Sequence, residues 1–238
     1  MSDTVNDAEM GILEHIEELR QRLMRALIAL FVGTLIGTLL TPPALRMLVA
    51  PLGDQVPQAL SPTEAPAVFF KVAVVIGIVI AMPVIMYQTF QFVAPGLEPN
   101  ERRYVLVGAP VAALSFAAGV IFAATVLLPA AIPFLQGFLS GIVQQHYSIE
   151  RYISFVSNVL LWAGLIFETP LVMYFLTKLG IVTPQGFAKA RRAVIIGAAA
   201  GAAVITPTTD PVNMLLVMLP FMLLYEIGIL LARLASRK

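Results

Sequence analysis

Six runs of apolar, almost uncharged residues divide the chain, and polar or proline-rich segments separate them. Such runs predict membrane-crossing helices, because a helix needs ~20 apolar residues to cross a hydrocarbon core ~30 Å thick. We therefore expect an all-α, polytopic membrane protein in which residues 1–238 form one six-helix unit. The predicted spans are residues 26–40, 68–93, 104–128, 152–176, 193–205 and 212–231.

The amino-terminal segment, residues 1–25, alternates charged and apolar positions. Ile12, Ile16, Leu19 and Leu23 recur every three or four residues, which places them on one face of a helix. This pattern predicts an amphipathic helix that lies on the membrane and runs into the first span. The sequence Thr41-Pro42-Pro43 is expected to end that span, because proline disrupts a helix interior.

The two longest connections follow the first and third spans; the first is rich in proline, and Pro129 and Pro133 open the second. Each also carries apolar residues at helical spacing, which predicts two short helices lying on the same membrane surface. These residues are Leu45, Leu48, Val49 and Leu52 in the first connection, and Leu135, Phe138, Leu139 and Ile142 in the second.

The fifth apolar run is short. Its 13 residues would form roughly 20 Å of helix, well below the ~30 Å core. We expect either that it is extended by its flanks or that the bilayer thins around it.

The composition excludes several classes of protein. With 59% hydrophobic residues, 12% charged residues and a mean hydropathy of +0.88, the chain is far more apolar than a soluble domain. The net charge of +1 gives no reason to expect nucleic-acid binding. There is no cysteine, only two histidines and no glycine-rich phosphate loop, so we expect no metal, no cofactor and no enzymatic activity. Residues 1–23 do not resemble a cleavable signal, so the first span is expected to remain as an uncleaved anchor.

The basic residues are distributed unevenly between the two sides of the predicted bundle. Twelve flank the termini and the turns after the second and fourth spans, and three, Arg46, Lys71 and Arg151, lie on the other side. Because basic residues concentrate in cytoplasmic segments, both termini are expected in the cytoplasm.

Two acidic residues precede the first and third predicted spans, and each has a local explanation. Glu18 is spaced to pair with Arg22 one helical turn later. Glu101 occupies the first turn after the helix cap Asn100. Both nevertheless belong to the same leaflet and could converge in a folded bundle. Two carboxylates there would suit a ligand with adjacent guanidinium groups, although the spacing permits this site without requiring it.

Glu168 is the most unusual charged residue. It precedes Lys178 by ten residues, or ~15 Å of helix, which places it near the bilayer midplane. A carboxylate there is costly and usually faces a bundle interior or a water-filled cavity. A structural role and a role in transport or binding both remain open. Glu226, seven residues before Arg233, is expected to be solvated at the interface.

Several segments, in order along the chain, resemble the TatC family of the twin-arginine protein translocase. The first cytoplasmic segments of that family resemble residues 15–23 (HIEELRQRL) and residues 87–97 (YQTFQFVAPGL) followed by residues 101–103 (ERR). Later landmarks match Phe-Glu-Thr-Pro at 167–170, Arg-Arg at 191–192, Thr-Pro at 206–207 with Asp210, and Tyr-Glu-Ile-Gly at 225–228. Ile16 and Phe90 depart from the leucine and tryptophan that many members carry.

The resemblance implies a receptor that binds twin-arginine signal peptides and assembles the channel for folded proteins. It implies that Glu18 and Glu101 contact the arginines, that Phe92 and Arg20 support the same patch, and that Glu168 lines a groove facing partner subunits. The implied partners are the single-span TatA and TatB proteins and further copies of the chain. The implied location is the bacterial or archaeal cytoplasmic membrane, with the proton-motive force as energy source. The alternative is a proton-coupled small-solute transporter in which Glu168 titrates.

Overall fold

The computed structural model describes residues 3–93, 102–137, 146–205 and 211–236, and within them the chain is helical, as the apolar runs predict. The described helices are α1 Asp3–Val49, α2 Glu64–Val93, α3 Arg102–Phe122, α4 Leu128–Gly137, α5 Ile149–Phe167, α6 Thr169–Lys178, α7 Pro184–Ile205 and α8 Pro211–Ala235. A π-helical turn, Ala123–Leu127, joins α3 to α4, and α5 meets α6 at Glu168, so these eight helices of the described residues form six rods.

Five stretches of the described residues are long and apolar enough to cross a membrane, which identifies a multi-pass membrane protein. They are Glu14–Leu52, Glu64–Phe92, Gly108–Gly137, Ile149–Lys178 and Val217–Ala235. Helix α7 is not among them, and its first half carries Lys189, Arg191 and Arg192. The exact limits of the six predicted spans within the bilayer remain a prediction.

The expected helix end at residues 41–43 is wrong. Helix α1 continues through Pro42 and Pro43 to Val49, and a 3₁₀ turn, Ala50–Leu52, follows. Proline fixes a φ that suits a helix, so its main cost is a lost backbone hydrogen bond and local crowding. Burial of the residues beyond it offsets that cost, since Leu48 and Leu52 belong to the main hydrophobic cluster. The expected short interfacial helix is therefore the end of α1.

The third rod also continues beyond its expected limit. Helix α4 contains Pro133 and extends to Gly137, nine residues past the predicted end of the third span. Of the apolar residues expected in a second interfacial helix, Leu135 lies in α4. Phe138, Leu139 and Ile142 lie outside the described residues, so that part of the expectation remains a prediction. Likewise, α7 begins at Pro184, within the connection expected between the fourth and fifth predicted spans.

Helices α1 and α2 pack as a tight antiparallel pair because small residues line their contact. A Cβ atom placed on Gly33 would lie 2.6 Å from the carbonyl oxygen of Gly77, and one placed on Gly77 would lie 2.5 Å from Thr34 Oγ1. One turn further on, a Cβ atom placed on Gly37 would lie equally close to the carbonyl oxygen of Ala73. Small residues in such positions let backbones approach within a membrane. This contact fixes the second helix against the one that carries Glu18.

The main core lies at the end of the bundle where α1 ends and α5 begins. It gathers Leu52, Val72, Leu128, Ile153 and Val156, all at most 3% exposed. Hydrogen bonds join the described parts of the two long connections above it. Gln58 donates its backbone N–H to Tyr147 O at 2.9 Å and accepts from Ile149 N at 2.9 Å. The described parts of the two connections therefore lie at the same end of the bundle.

Candidate functional site

Glu18 lies on α1 and forms the ion pair that its spacing predicts. Its Oε1 accepts hydrogen bonds from Arg22 Nε at 3.0 Å and from a terminal guanidinium nitrogen of Arg22 at 2.5 Å. The side chain of Glu18 is 30% exposed and that of Arg22 only 16%. The carboxylate is therefore accessible on one side and already paired with a guanidinium group on the other.

Phe92 and Glu18 approach one another through His15. The rings of His15 on α1 and Phe92 on α2 stack, with centroids 4.4 Å apart and an angle of 22° between their planes. His15 Nδ1 lies 3.8 Å from Glu18 Oε2, the oxygen that Arg22 does not contact. The structure thus joins two of the expected site residues into one patch. Sequence reasoning did not identify His15 as the connection, because the stacking depends on how α1 and α2 pack.

Arg20 does not pair with Glu18. Its guanidinium lies 3.5 Å from Glu17, and the two side chains are 75% and 54% exposed. Glu101 belongs to the segment 94–101, which lies outside the described residues. Its convergence with Glu18 therefore remains a prediction.

Glu168 occupies the break between α5 and α6. Because Pro170 has no backbone N–H, the regular hydrogen-bond ladder is interrupted there. Around the break, Ser115 of α3 donates its hydroxyl to Phe167 O at 2.8 Å, and Glu168 N donates to Leu165 O at 3.1 Å. The Glu168 side chain is 6% exposed, and neither carboxylate oxygen has a hydrogen-bond partner among the described residues. Glu168 is thus a buried carboxyl group within the bundle, and its place at the bilayer midplane remains a prediction.

An apolar groove of about 310 Å³ opens between α5, α7 and α8, on the side of the bundle next to this break. Its lining includes Trp162, Val194, Gly201 and Phe221, together with Ile166, which precedes Glu168 by two residues. The described lining residues are apolar, and Glu168 is not one of them. Its expected place in a partner-facing groove remains a prediction.

The sequence suggested that Glu226 is solvated at the interface, but the structure shows it in an ion pair with Arg191. Its two carboxylate oxygens accept hydrogen bonds from Arg191 Nε and a terminal nitrogen of Arg191, both at 2.7 Å, which ties α7 to α8. Hydrogen bonding with Glu226 raises the pKa of the Arg191 guanidinium, which precedes the predicted fifth span. Both side chains remain more than 40% exposed, so solvent screens the pair. The partners are 35 residues apart, which is why spacing did not reveal them.

Metal binding has no support in the part of the chain that the structure describes, where no three histidine, aspartate or glutamate side chains are grouped to hold an ion. The described residues form a multi-pass helical membrane protein in which His15, Glu18 and Phe92 make a polar and aromatic patch near the start of α1 and the end of α2.

Comparison with known proteins defines the family. The family described as "Sec-independent protein translocase protein (TatC)" matches residues 14–220. Proteins named Sec-independent protein translocase protein TatC are similar over nearly the whole chain. The protein from Carboxydothermus hydrogenoformans is 34% identical over 98% of this chain and 97% of its own length. The protein from Aquifex aeolicus is 36% identical over 96% and 97% of the two chains.

A solved structure described as the crystal structure of the twin-arginine translocase receptor TatC is also similar. It superposes with a TM-score of 0.83 and 35% sequence identity, over 94% of this chain and 100% of the other. The chain belongs to the TatC family of Sec-independent protein translocase proteins.

Proposed function

We propose that this protein is the receptor and core subunit of a twin-arginine protein translocase. The observation that carries the proposal is the likeness of fold and sequence along nearly the whole chain to a twin-arginine translocase receptor. On this account the protein binds twin-arginine signal peptides at its cytoplasmic face and scaffolds assembly of the channel for folded proteins. The proton-motive force drives transport, and the protein itself catalyses no chemical reaction.

Glu18 and Glu101 accept the two guanidinium groups of the signal peptide. The Glu18 carboxylate supports this assignment because it is partly exposed and already accepts two guanidinium hydrogen bonds from Arg22, so its surroundings are compatible with a bound guanidinium group. Phe92, stacked on His15 beside Glu18, offers an aromatic surface to the peptide. Arg20, which is 75% exposed, supports the edge of the patch.

The partners are single-span TatA-type and TatB-type subunits and further copies of this chain. We propose that Glu168 serves the transport stage at the side of the bundle where these subunits dock. The short apolar part of α7 would thin the bilayer locally and lower the barrier to a hydrophilic cargo. Similarity to bacterial relatives supports placement in a bacterial or archaeal cytoplasmic membrane, and the charge bias supports placing both termini in the cytoplasm.

The alternative, a proton-coupled small-solute transporter based on Glu168, rests on one buried carboxyl group. The same group has a role in the translocase account, and membership of the TatC family favours the translocase.

Crosslinking tests the receptor assignment. The purified protein in detergent should crosslink to a twin-arginine signal peptide, and replacing both peptide arginines by lysine should weaken the crosslink. Lysine carries the same charge without the planar fork that engages a carboxylate through two hydrogen bonds. Glu18→Ala and Glu101→Ala should each weaken crosslinking of the arginine peptide. Equal crosslinking of the arginine and lysine peptides would refute the two-carboxylate site.

A further inference from the structure

We propose that Arg22 is a built-in occupant of the guanidinium position on Glu18, which an arginine of the signal peptide must displace in order to bind. This inference rests on the proposed function and assigns a further role within the same site. Arg22 thereby sets the threshold of affinity that a cationic ligand must exceed.

The geometry of the resting pair carries the inference. Arg22 directs Nε and a terminal nitrogen to the same oxygen, Glu18 Oε1, at 3.0 and 2.5 Å. The strongest arginine–carboxylate contact is a fork in which two N–H groups reach both carboxylate oxygens. An incoming guanidinium cannot form that fork while Oε1 accepts both bonds from Arg22. It can contact only Oε2, where His15 Nδ1 already lies at 3.8 Å.

The Arg22 side chain is more buried than those of Arg20 and Arg25 in the same helix segment. Its side chain is 16% exposed, against 75% for Arg20, which pairs with Glu17. Arg22 therefore occupies a partly desolvated position, where a charge-assisted hydrogen bond is stronger than at the open surface. A peptide arginine that replaces it must recover those bonds and gain further contacts with the rest of the patch.

An alternative role for Arg22, in which it supports ligand binding, predicts the opposite result. If Arg22 only orients the Glu18 carboxylate for the ligand, its removal would weaken peptide binding. If Arg22 competes with the ligand, its removal strengthens binding. An internal competitor lowers the apparent affinity of every ligand for Glu18 by the same factor. The ratio between arginine and lysine peptides is therefore unaffected by the competition, and only the absolute affinities change.

The test is the dissociation constant of a fluorescent twin-arginine peptide for the full chain in detergent at fixed ionic strength. Arg22→Met keeps an unbranched chain of similar length and removes the guanidinium group. Arg25→Met removes the same charge from the same helix, at an exposed position one turn later, and controls for general electrostatic attraction. Relative to this control, Arg22→Met should lower the constant about two- to fivefold, the range typical of helical and partly exposed ion pairs.

The same factor should apply to the lysine peptide. Arg22→Lys, which keeps the charge but loses the fork, should give a constant between those of the wild type and Arg22→Met, and it decides the matter if Arg22→Met fails to fold. A constant that is unchanged from the control, or raised, would overturn the competitor role. Failure of the proposed function is distinguishable, because then Glu18→Gln would leave binding of both peptides unchanged.

Discussion

Glu168→Gln is expected to reduce transport of a folded cargo by about tenfold or more while binding of the signal peptide is retained. Glutamine nearly matches glutamate in shape, but its amide neither ionises nor acts as a proton donor or acceptor in acid–base chemistry near neutral pH. The structure buries this carboxyl group at the break between α5 and α6, without a hydrogen-bond partner among the described residues. A buried carboxylate costs several kcal/mol in such a setting. Its neutral replacement should therefore leave the fold at least as stable.

The combination of retained fold, retained binding and lost transport separates a functional carboxyl group from a structural one. The measurement is export of a folded reporter carrying a twin-arginine signal, in cells that depend on this chain, together with peptide binding by the purified variant. Glu150→Gln, at an exposed position in the first turn of α5, is the matched control and should transport normally. Normal transport by Glu168→Gln would remove the residue from the transport stage. Loss of peptide binding would instead place Glu168 in the primary site.

Gly77→Ala is expected to destabilise the protein and to weaken peptide binding as well. The added Cβ would lie 2.5 Å from Thr34 Oγ1, 2.7 Å from Thr34 N and 2.8 Å from Thr34 Cα. Two of these atoms belong to the backbone of α1, so α1 and α2 must separate. Overpacking of this kind costs about 1–3 kcal/mol, which exceeds the ~1 kcal/mol that alanine gains over glycine in a helix. Separation would also disturb the stacking of His15 on Phe92.

Thermal unfolding in detergent and peptide titration measure the two effects of Gly77→Ala. Gly201→Ala is the matched control, because a Cβ on Gly201 in α7 meets nothing within 4 Å. This control should unfold at the wild-type temperature or above it. An unfolding temperature for Gly77→Ala equal to that of Gly201→Ala would show that the close contact between α1 and α2 does not limit stability.

Sequence patterns predicted the features that depend on local order. Apolar runs gave the number and order of the helical rods, and a spacing of four gave the pair of Glu18 and Arg22. The errors lie where local and tertiary effects compete. Pro42 and Pro43 did not end α1, because burial of the residues beyond them outweighs the lost hydrogen bonds.

The candidate site was predictable only in part. Resemblance to a family suggested Phe92, but its stacking on His15 joins residues 77 positions apart and needs the packed α1–α2 pair. The pair of Arg191 and Glu226 was missed for the same reason, since no periodicity connects residues on different helices. Glu168 stood out because a carboxylate within an apolar run is rare whatever surrounds it.

The most direct test of the receptor account is whether Glu18 is coupled to the identity of the peptide arginines. Dissociation constants would be measured for the twin-arginine and twin-lysine peptides with the wild type and with Glu18→Gln, as a double-mutant cycle. The account predicts that the wild type prefers the arginine peptide and that this preference shrinks in Glu18→Gln, because the missing carboxylate can no longer engage the fork. An equal preference in both proteins would contradict it.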